Sequence, residues 1–340
     1  MRSMKALVIE APFQAAIQDV PYPTPGVGEV TIKVERVGIC GTDVHIFKGE
    51  FLSSYPLIPG HEFSGVIHEI GPGVTAFNLG DRVTAEPNIF CGQCIYCLTN
   101  RGNHCDAWQA TGVTQPGAMA EYVAVPARNV FRIPDSMSYG VGAFIEPMAC
   151  VVYAMNRLQL KPGDRTLLIG AGAMGQQLIQ SIAHAGASEL VVVDISSEKL
   201  ALARQWGATK TVISDEIDQH LGTRHYPRGF DVVVDATGIP AVIEQALQFL
   251  GPTGKYLQFG VTAQNSKITL SPFDLYQKDW TLIGSMAINH TFYPALQWVK
   301  SNRVQLEHLI TKVIPLHEVP ELLAAGAGPS HLKVQIQITS

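Results

Sequence analysis

Residues 165–175 read RTLLIGAGAMG, a short apolar strand-former running straight into Gly-x-Gly-x-x-Gly. Gly170 permits a tight turn, Gly172 lets the backbone approach a pyrophosphate, and Gly175 allows a helix to pack closely on the strand. Ala173 and Met174 complete the turn, and the N-terminus of the helix that follows faces the phosphates. A second apolar run, Leu190–Val193, ends in Asp194, nineteen residues after Gly175. A carboxylate there takes both ribose hydroxyls of a dinucleotide and repels a 2′-phosphate. The next residues, Ile195-Ser196-Ser197, bring no arginine to offset that repulsion, although Lys199 lies a turn further on. The fingerprint therefore points to NAD rather than NADP.

Working outward, Arg165–Ile169, Glu189–Val193, Thr209–Ile213, Asp231–Val234 and Lys255–Phe259 are short β-rich runs. They alternate with helical stretches at Met174–Ala185, Ser197–Trp206 and Ala241–Leu250, and this cadence predicts a doubly wound parallel sheet. Before residue 145 the pattern differs. Lys5–Ile9, Glu29–Val37, Phe63–Ile70 and Arg82–Ala85 read as strands of an antiparallel barrel or sandwich, punctuated by turns such as Gly71–Val74. After Thr281–Gly284, a helix near Tyr293–Ser301 leads into a tail whose end, Lys333–Ile338, is expected to return to the first domain. The fold class is thus α/β with a second, mainly β domain.

The 340 residues are 46% hydrophobic and 16% charged, with a net charge of −5 spread without blocks. Nothing in that balance calls for nucleic acid or an anionic membrane surface. The first residues lack a signal-peptide pattern, and every apolar run is interrupted before it could span a bilayer. A soluble, cytoplasmic protein is expected, and at this level small-molecule enzymes and inert scaffolds look alike.

Four of the six cysteines, Cys91, Cys94, Cys97 and Cys105, fall within the segment CGQCIYCLTNRGNHC. Such clustering in a large cytosolic chain favours metal over disulfides. Four thiolates close a tetrahedral Zn²⁺ shell with no open position, which makes a structural site; four cysteines also suit an iron–sulfur cluster. Cys150, in apolar surroundings, reads as a buried structural cysteine, and the four tryptophans as packing residues.

Two motifs stand upstream, Gly38-Ile-Cys40-Gly-Thr42-Asp43-Val-His45 and Gly60-His61-Glu62-Phe-Ser-Gly65, and a third, Phe144-Ile-Glu146-Pro147, lies where the two predicted domains meet. Cys40, His61 and Glu62 supply the S, N and O ligand types of an open zinc site. Together with the four-cysteine segment and the nucleotide fingerprint, in this order over nearly the whole chain, these motifs resemble the zinc-dependent medium-chain dehydrogenases, and their polyol branch in particular.

The resemblance implies a GroES-like catalytic domain at residues 1–150 and 291–340, with a zinc lobe at 88–108. It implies a Rossmann NAD-binding domain at 151–290. Two zinc ions per chain follow, one structural and one catalytic, the latter held by Cys40, His61 and Glu62. Glu146 stands where animal-type alcohol dehydrogenases have a third cysteine, so it either ligates that zinc or holds its water. Thr42 would take the substrate proton, His45 would relay it to solvent, and Asp43 would accept the second ring N–H of His61. The implied reaction passes a hydride between a polyol or other secondary alcohol and NAD.

Two alternatives stay open: GTDVHIF also resembles L-threonine 3-dehydrogenases, and a non-catalytic nucleotide-binding scaffold would keep the fold. Several sugar-phosphate relatives carry Gly-Ser-Arg where this chain has Gly284-Ser285-Met286, which weakens the case for an anionic substrate. Phe51–Pro56 and the loop Asn289–Phe292 are expected to shape the pocket. By resemblance the protein is a homo-oligomer, dimer or tetramer, pairing along Thr281–Gly284.

Overall fold

The fingerprint strand Arg165–Ile169 is buried from its second residue onward, and its neighbours Val191, Val192, Val233 and Val234 are fully buried. Burial on both faces explains why these runs are continuously apolar rather than alternating. Six parallel strands line up as Lys210–Ile213, Glu189–Asp194, Arg165–Ile169, Phe230–Asp235, Leu250–Gln258 and Thr281–Gly284. The order reverses beside Arg165–Ile169, the place where open α/β sheets bind ligands at the carboxyl ends of their strands. Helices Ala173–His184, Ser197–Gln205 and Pro240–Leu247 fill the crossovers. Leu250, expected to end a helix, instead opens a strand: it pairs with Phe230, and the register shifts before Val232↔Lys255. Among the described residues, Thr281–Gly284 pairs only with Leu250–Gln258, which leaves its other edge free.

The structure is a computed structural model describing residues 2–51, 53–326, 328 and 331–338; Leu52, in the stretch expected to shape the pocket, lies outside them. The chain divides into two units, Met1–Ala149 with Ile288–Ser340, and Cys150–Ala287. Among the described residues no helix is long and apolar enough to cross a membrane.

The discontinuous unit is built on a seven-stranded sheet. In order, Ile310–Pro315, Lys333–Gln337, Glu29–Gly38, Glu62–Ile70, Arg82–Ala85 and Val130–Arg132 adjoin, and Tyr122–Pro126 also pairs with Glu29–Gly38. All these pairings are antiparallel except that of Ile310–Pro315 with Lys333–Gln337. Its core includes Ile32, Val34, Phe63, Ile67 and Ile336, all within 2% of full burial, each worth about 1.5–3 kcal/mol over an exposed side chain.

Three elements depart from the expected strands and turns. Gly41–Lys48 is a helix, as are Tyr139–Ala143 and Ile145–Leu158. The tail holds a strand, Ile310–Pro315, and a helix, Val319–Ala325, besides the returning strand. Cys150 is half-buried rather than enclosed.

Candidate active site

The helix Gly41–Lys48 is made by its ends. Cys40, in extended backbone, caps its start; the Asp43 carboxylate accepts the Cys40 N–H at 2.8 Å, while the Cys40 side chain receives the Asp43 N–H. Such reciprocal capping satisfies donors that would otherwise be orphaned. Gly49 closes the helix in the left-handed region at φ 77°. Asp43 is fully buried, and its other oxygen accepts the Gly60 N–H at 3.3 Å, so one carboxylate fixes both the cysteine loop and the residue before His61. The expected hydrogen bond from His61 is looser: Nδ1 stands 3.5 Å from Asp43 Oδ1, beyond ordinary bonding distance. Burial works against a charged His61 ring, but Asp43 and then Cys40 outweigh it and hold the pKa well above the usual value. To take a metal, the ring must release that proton.

Glu62 opens its strand directly opposite Gly38. A Cβ on Gly38 would sit 2.1 Å from Glu62 Oε2, so the absence of a side chain there makes room for the carboxylate. Lys333, from the returning strand, places Nζ 2.7 Å from Glu62 Oε1 and 2.6 Å from Oε2, with both side chains almost wholly buried. Burial opposes the lysine charge, but Glu62 and then Cys40 more than compensate and raise its pKa. Nothing in the local sequence marks this partner, which stands 271 residues from Glu62.

The donor atoms of Cys40, His61 and Glu62 all lie within 4.8 Å of one another. A tetrahedral zinc with bonds of about 2.0–2.3 Å keeps its ligands roughly 3.3–3.8 Å apart, so this S, N, O set fits an ion with one position left open. Glu146, buried in the first turn of Ile145–Leu158, stands outside that trio. Thr42 Oγ1 is 3.7 Å from Cys40 Sγ. His45, further along the same helix, is a third exposed, and its Nδ1 meets Glu50 Oε2 at 2.8 Å.

Cys91, Cys94, Cys97 and Cys105 form a second group within 4.8 Å. Backbone N–H groups of Gln93 and Cys94 point at Cys91 Sγ and lower its pKa, and those of Cys97 and Asp106 bring Cys94 down to about 6. Thiolates prepared in this way suit a closed metal shell. Asn289 clamps this lobe: its Oδ1 accepts the Gly102 N–H at 2.9 Å and its Nδ2 donates to Asn100 O at 2.8 Å. His290 meets the Phe90 ring edge-on, and Phe292 is fully buried.

In the nucleotide unit, Gly170 turns at φ 102°, and a Cβ on Gly175 would fall 2.0 Å from Gly170 O. Space is open beside Gly172, at the N-cap of Ala173–His184. Asp194 braces the turn, accepting the Ala171 N–H at 2.6 Å and the Ser196 N–H at 2.8 Å. Gln176, fully buried, donates to Ala171 O and Lys199 O, a support that the motif alone does not reveal. Just past the carboxyl ends of three strands, Ile195, Ile239 and Val261 are each more than half exposed. Apolar side chains bared at one sheet end are a ligand-binding signal that periodicity does not register.

Residues 26–135 match the family model of the alcohol dehydrogenase GroES-like domain, and residues 173–301 match that of zinc-binding dehydrogenases. D-arabinitol dehydrogenase 1 of Uromyces fabae is 32% identical, over 98% of this chain and 97% of its own. An L-threonine 3-dehydrogenase of Bacillus velezensis is 33% identical, over 93% of each chain. A protein of Sinorhizobium meliloti 1021 described as a zinc-binding dehydrogenase, solved with NADP, superposes at a TM-score of 0.95 with 32% identity, over 99% of this chain and 100% of that one. The chain belongs to the zinc-dependent medium-chain dehydrogenase superfamily, in its polyol branch. It combines a GroES-like catalytic fold with a Rossmann fold.

Proposed function

We propose that this chain oxidises a secondary alcohol of a polyol to the ketose, or reduces the ketone, with NAD as hydride partner. The observation that carries the reading is the Cys40–His61–Glu62 trio, half-buried at Cys40 and buried at His61 and Glu62, three donor types within 4.8 Å, in a chain of this family. When bound there, zinc supplies Lewis acidity that brings a coordinated hydroxyl towards ionisation at neutral pH.

The protein's own groups do the rest. Cys40 and His61 hold their places through Asp43, and Glu62 is kept in register by Gly38 and neutralised by Lys333. Glu146 is assigned either to the metal or to its water. Thr42 takes the hydroxyl proton, and His45 passes it outward; Glu50 accepting at Nδ1 leaves Nε2 as the basic nitrogen. Cys91, Cys94, Cys97 and Cys105 hold a second, structural zinc.

Gly170, Gly172, Ala173, Met174 and Gly175 form the cradle for the pyrophosphate, and Asp194 takes the adenosine ribose. Ile195, Ile239 and Val261 give the cofactor's rings an apolar wall. Residues 1–150 and 291–340 act as the catalytic domain and 151–290 as the cofactor domain, in a cytoplasmic homo-oligomer that pairs through the free edge of Thr281–Gly284.

The test joins metal analysis to a screen of NAD reduction with sorbitol, xylitol, arabitol, 2,3-butanediol and L-threonine. Two zinc ions per chain and turnover of a polyol or diol are expected. Threonine as the best substrate would replace this reading with the threonine dehydrogenase one, and inactivity on all five would leave a scaffold. Asp194→Ser should narrow the preference for NAD over NADP by about 10–100-fold in kcat/KM, since the charge that repels the 2′-phosphate is gone. An unchanged preference would remove Asp194 from the cofactor site.

A further inference from the structure

One half-buried carboxyl, with an oxygen shielded from solvent, has no part in the chemistry above. Glu86 follows the strand Arg82–Ala85, which pairs with Glu62–Ile70 so that Ser64 faces Thr84 and Gly65 faces Val83. Ser64↔Thr84 is the last pair of that register, two residues short of Glu62 on one strand and of Glu86 beyond the other. The backbone of Glu86 is clamped by a single residue: its N–H donates to Asn129 O at 2.8 Å, and its carbonyl accepts from Asn129 Nδ2 at 2.9 Å. The same Nδ2 also holds Asn88 O at 2.7 Å. A rigid support of this kind fixes where a side chain can reach.

What the side chain reaches is unsettled within the chain. Glu86 Oε1 is shut off from solvent and has no hydrogen-bond partner among the described residues. A buried acceptor left unmatched costs about 1–3 kcal/mol, so natural proteins keep one only where something else satisfies it. Glu86 is also outside the trio of donor atoms that fit the metal. Burial, and then the charge of Glu146, push its carboxyl up to about 7. A hydroxyl group, donor and acceptor at once, pairs with a carboxyl in either protonation state; a hydrocarbon pairs with neither.

We propose that Glu86 is a specificity residue, its free oxygen taking a hydroxyl of the polyol other than the one being oxidised. The proposal rests on the polyol reading above. It assigns to one side chain the discrimination between a polyol and a simple secondary alcohol. A site built to bond a hydroxyl penalises a substrate that lacks it, because the polar group is then buried without a partner.

The experiment compares the zinc-loaded enzyme with Glu86→Met, Glu86→Ala and Glu86→Gln, using the polyol that ranks first in the screen and 2-butanol, which has the reacting carbinol alone. In Glu86→Met and Glu86→Ala, kcat/KM for the polyol should fall about 10–100-fold, the worth of a hydrogen bond to a charged group. For 2-butanol it should change less than about threefold. Glu86→Gln, which keeps a donor and an acceptor, should retain most of the polyol activity. Calorimetric titration of the polyol into the enzyme–NADH complex should show a matching loss of affinity in the two apolar variants, with zinc content unchanged. Parallel losses on both substrates would move Glu86 to the metal centre, and an unchanged ratio in a folded apolar variant would overturn the proposal. Failure of the wild type to turn over any polyol is a separate result, and it would sink the functional reading instead.

Discussion

Among the described residues, the molecule carries two groups of metal-type donors that differ in almost every respect. The four cysteines come from one stretch of fifteen residues and range from exposed to buried; neighbouring backbone N–H groups favour the thiolates of Cys91 and Cys94, while burial raises Cys97. Cys40, His61 and Glu62 come from the ends of a helix and a strand, lie in a far more buried pocket, and mix three donor types. Around a divalent ion, four thiolates leave two negative charges. One thiolate and one carboxylate with Lys333 alongside leave one positive charge. The first arrangement is saturated and electron-rich, suited to holding a loop; the second keeps a free position and an electrophilic ion, suited to polarising a ligand. The contrast lies in the surroundings of the ion rather than in the ion itself.

The sharpest way to break this contrast is a pair of variants. Cys40→Ser should keep one zinc and its fold while kcat falls by at least about 10³-fold, roughly 4 kcal/mol of barrier. Cys97→Ser should lose the other zinc and a large part of its thermal stability, since structural zinc supplies folding energy; its surviving folded fraction should keep its activity per active site. Both are read by metal analysis, melting and turnover. If the two variants exchanged these phenotypes, the assignment of the sites would be reversed.

Lys333→Met probes the charge on the electrophilic side. It leaves Glu62 buried without its counter-ion, so a loss of about 3–5 kcal/mol in denaturant unfolding is expected. Adding Glu62→Gln should return part of that loss, because the stranded charge is then removed as well. No recovery in the double variant would mean that Lys333 matters for packing alone.

The smallest effect belongs to the lobe's anchor. Asn289→Ala removes two hydrogen bonds, worth about 1–2 kcal/mol together, and should speed chelator removal of the lobe zinc by about tenfold, leaving the other zinc untouched. Equal release rates in variant and wild type would tell against a clamping role.

The sequence was most informative where chemistry is local. The spacing of Cys91 to Cys105 and the run from Arg165 to Gly175 each contain their own geometric reason, and each reads out in order. The helix Gly41–Lys48 was missed because GTDVHIFK has no strong helical pattern; its two caps, set by Cys40, Asp43 and Gly49, make it. Lys333 and Asn289 were invisible for another reason. Their partners stand 271 and 187 residues away, and nothing in a lysine or an asparagine announces a buried carboxylate or a distant loop. Asp43 illustrates a role assigned correctly in place but not in contact: it lies beside His61, yet its short bonds go to the backbone of Cys40 and Gly60.

The position of Lys333 in the chain has a consequence for biosynthesis. As the polypeptide leaves the ribosome, Cys40, His61 and Glu62 emerge early, and the whole nucleotide unit, Cys150–Ala287, is made before the strand Lys333–Gln337 appears. Because that strand and its outer neighbour Ile310–Pro315 both follow the nucleotide unit in sequence, the Arg36–Gly38 end of Glu29–Gly38 waits for them as an unpaired edge. The pocket thus acquires its balancing cation only after the whole nucleotide unit has been made.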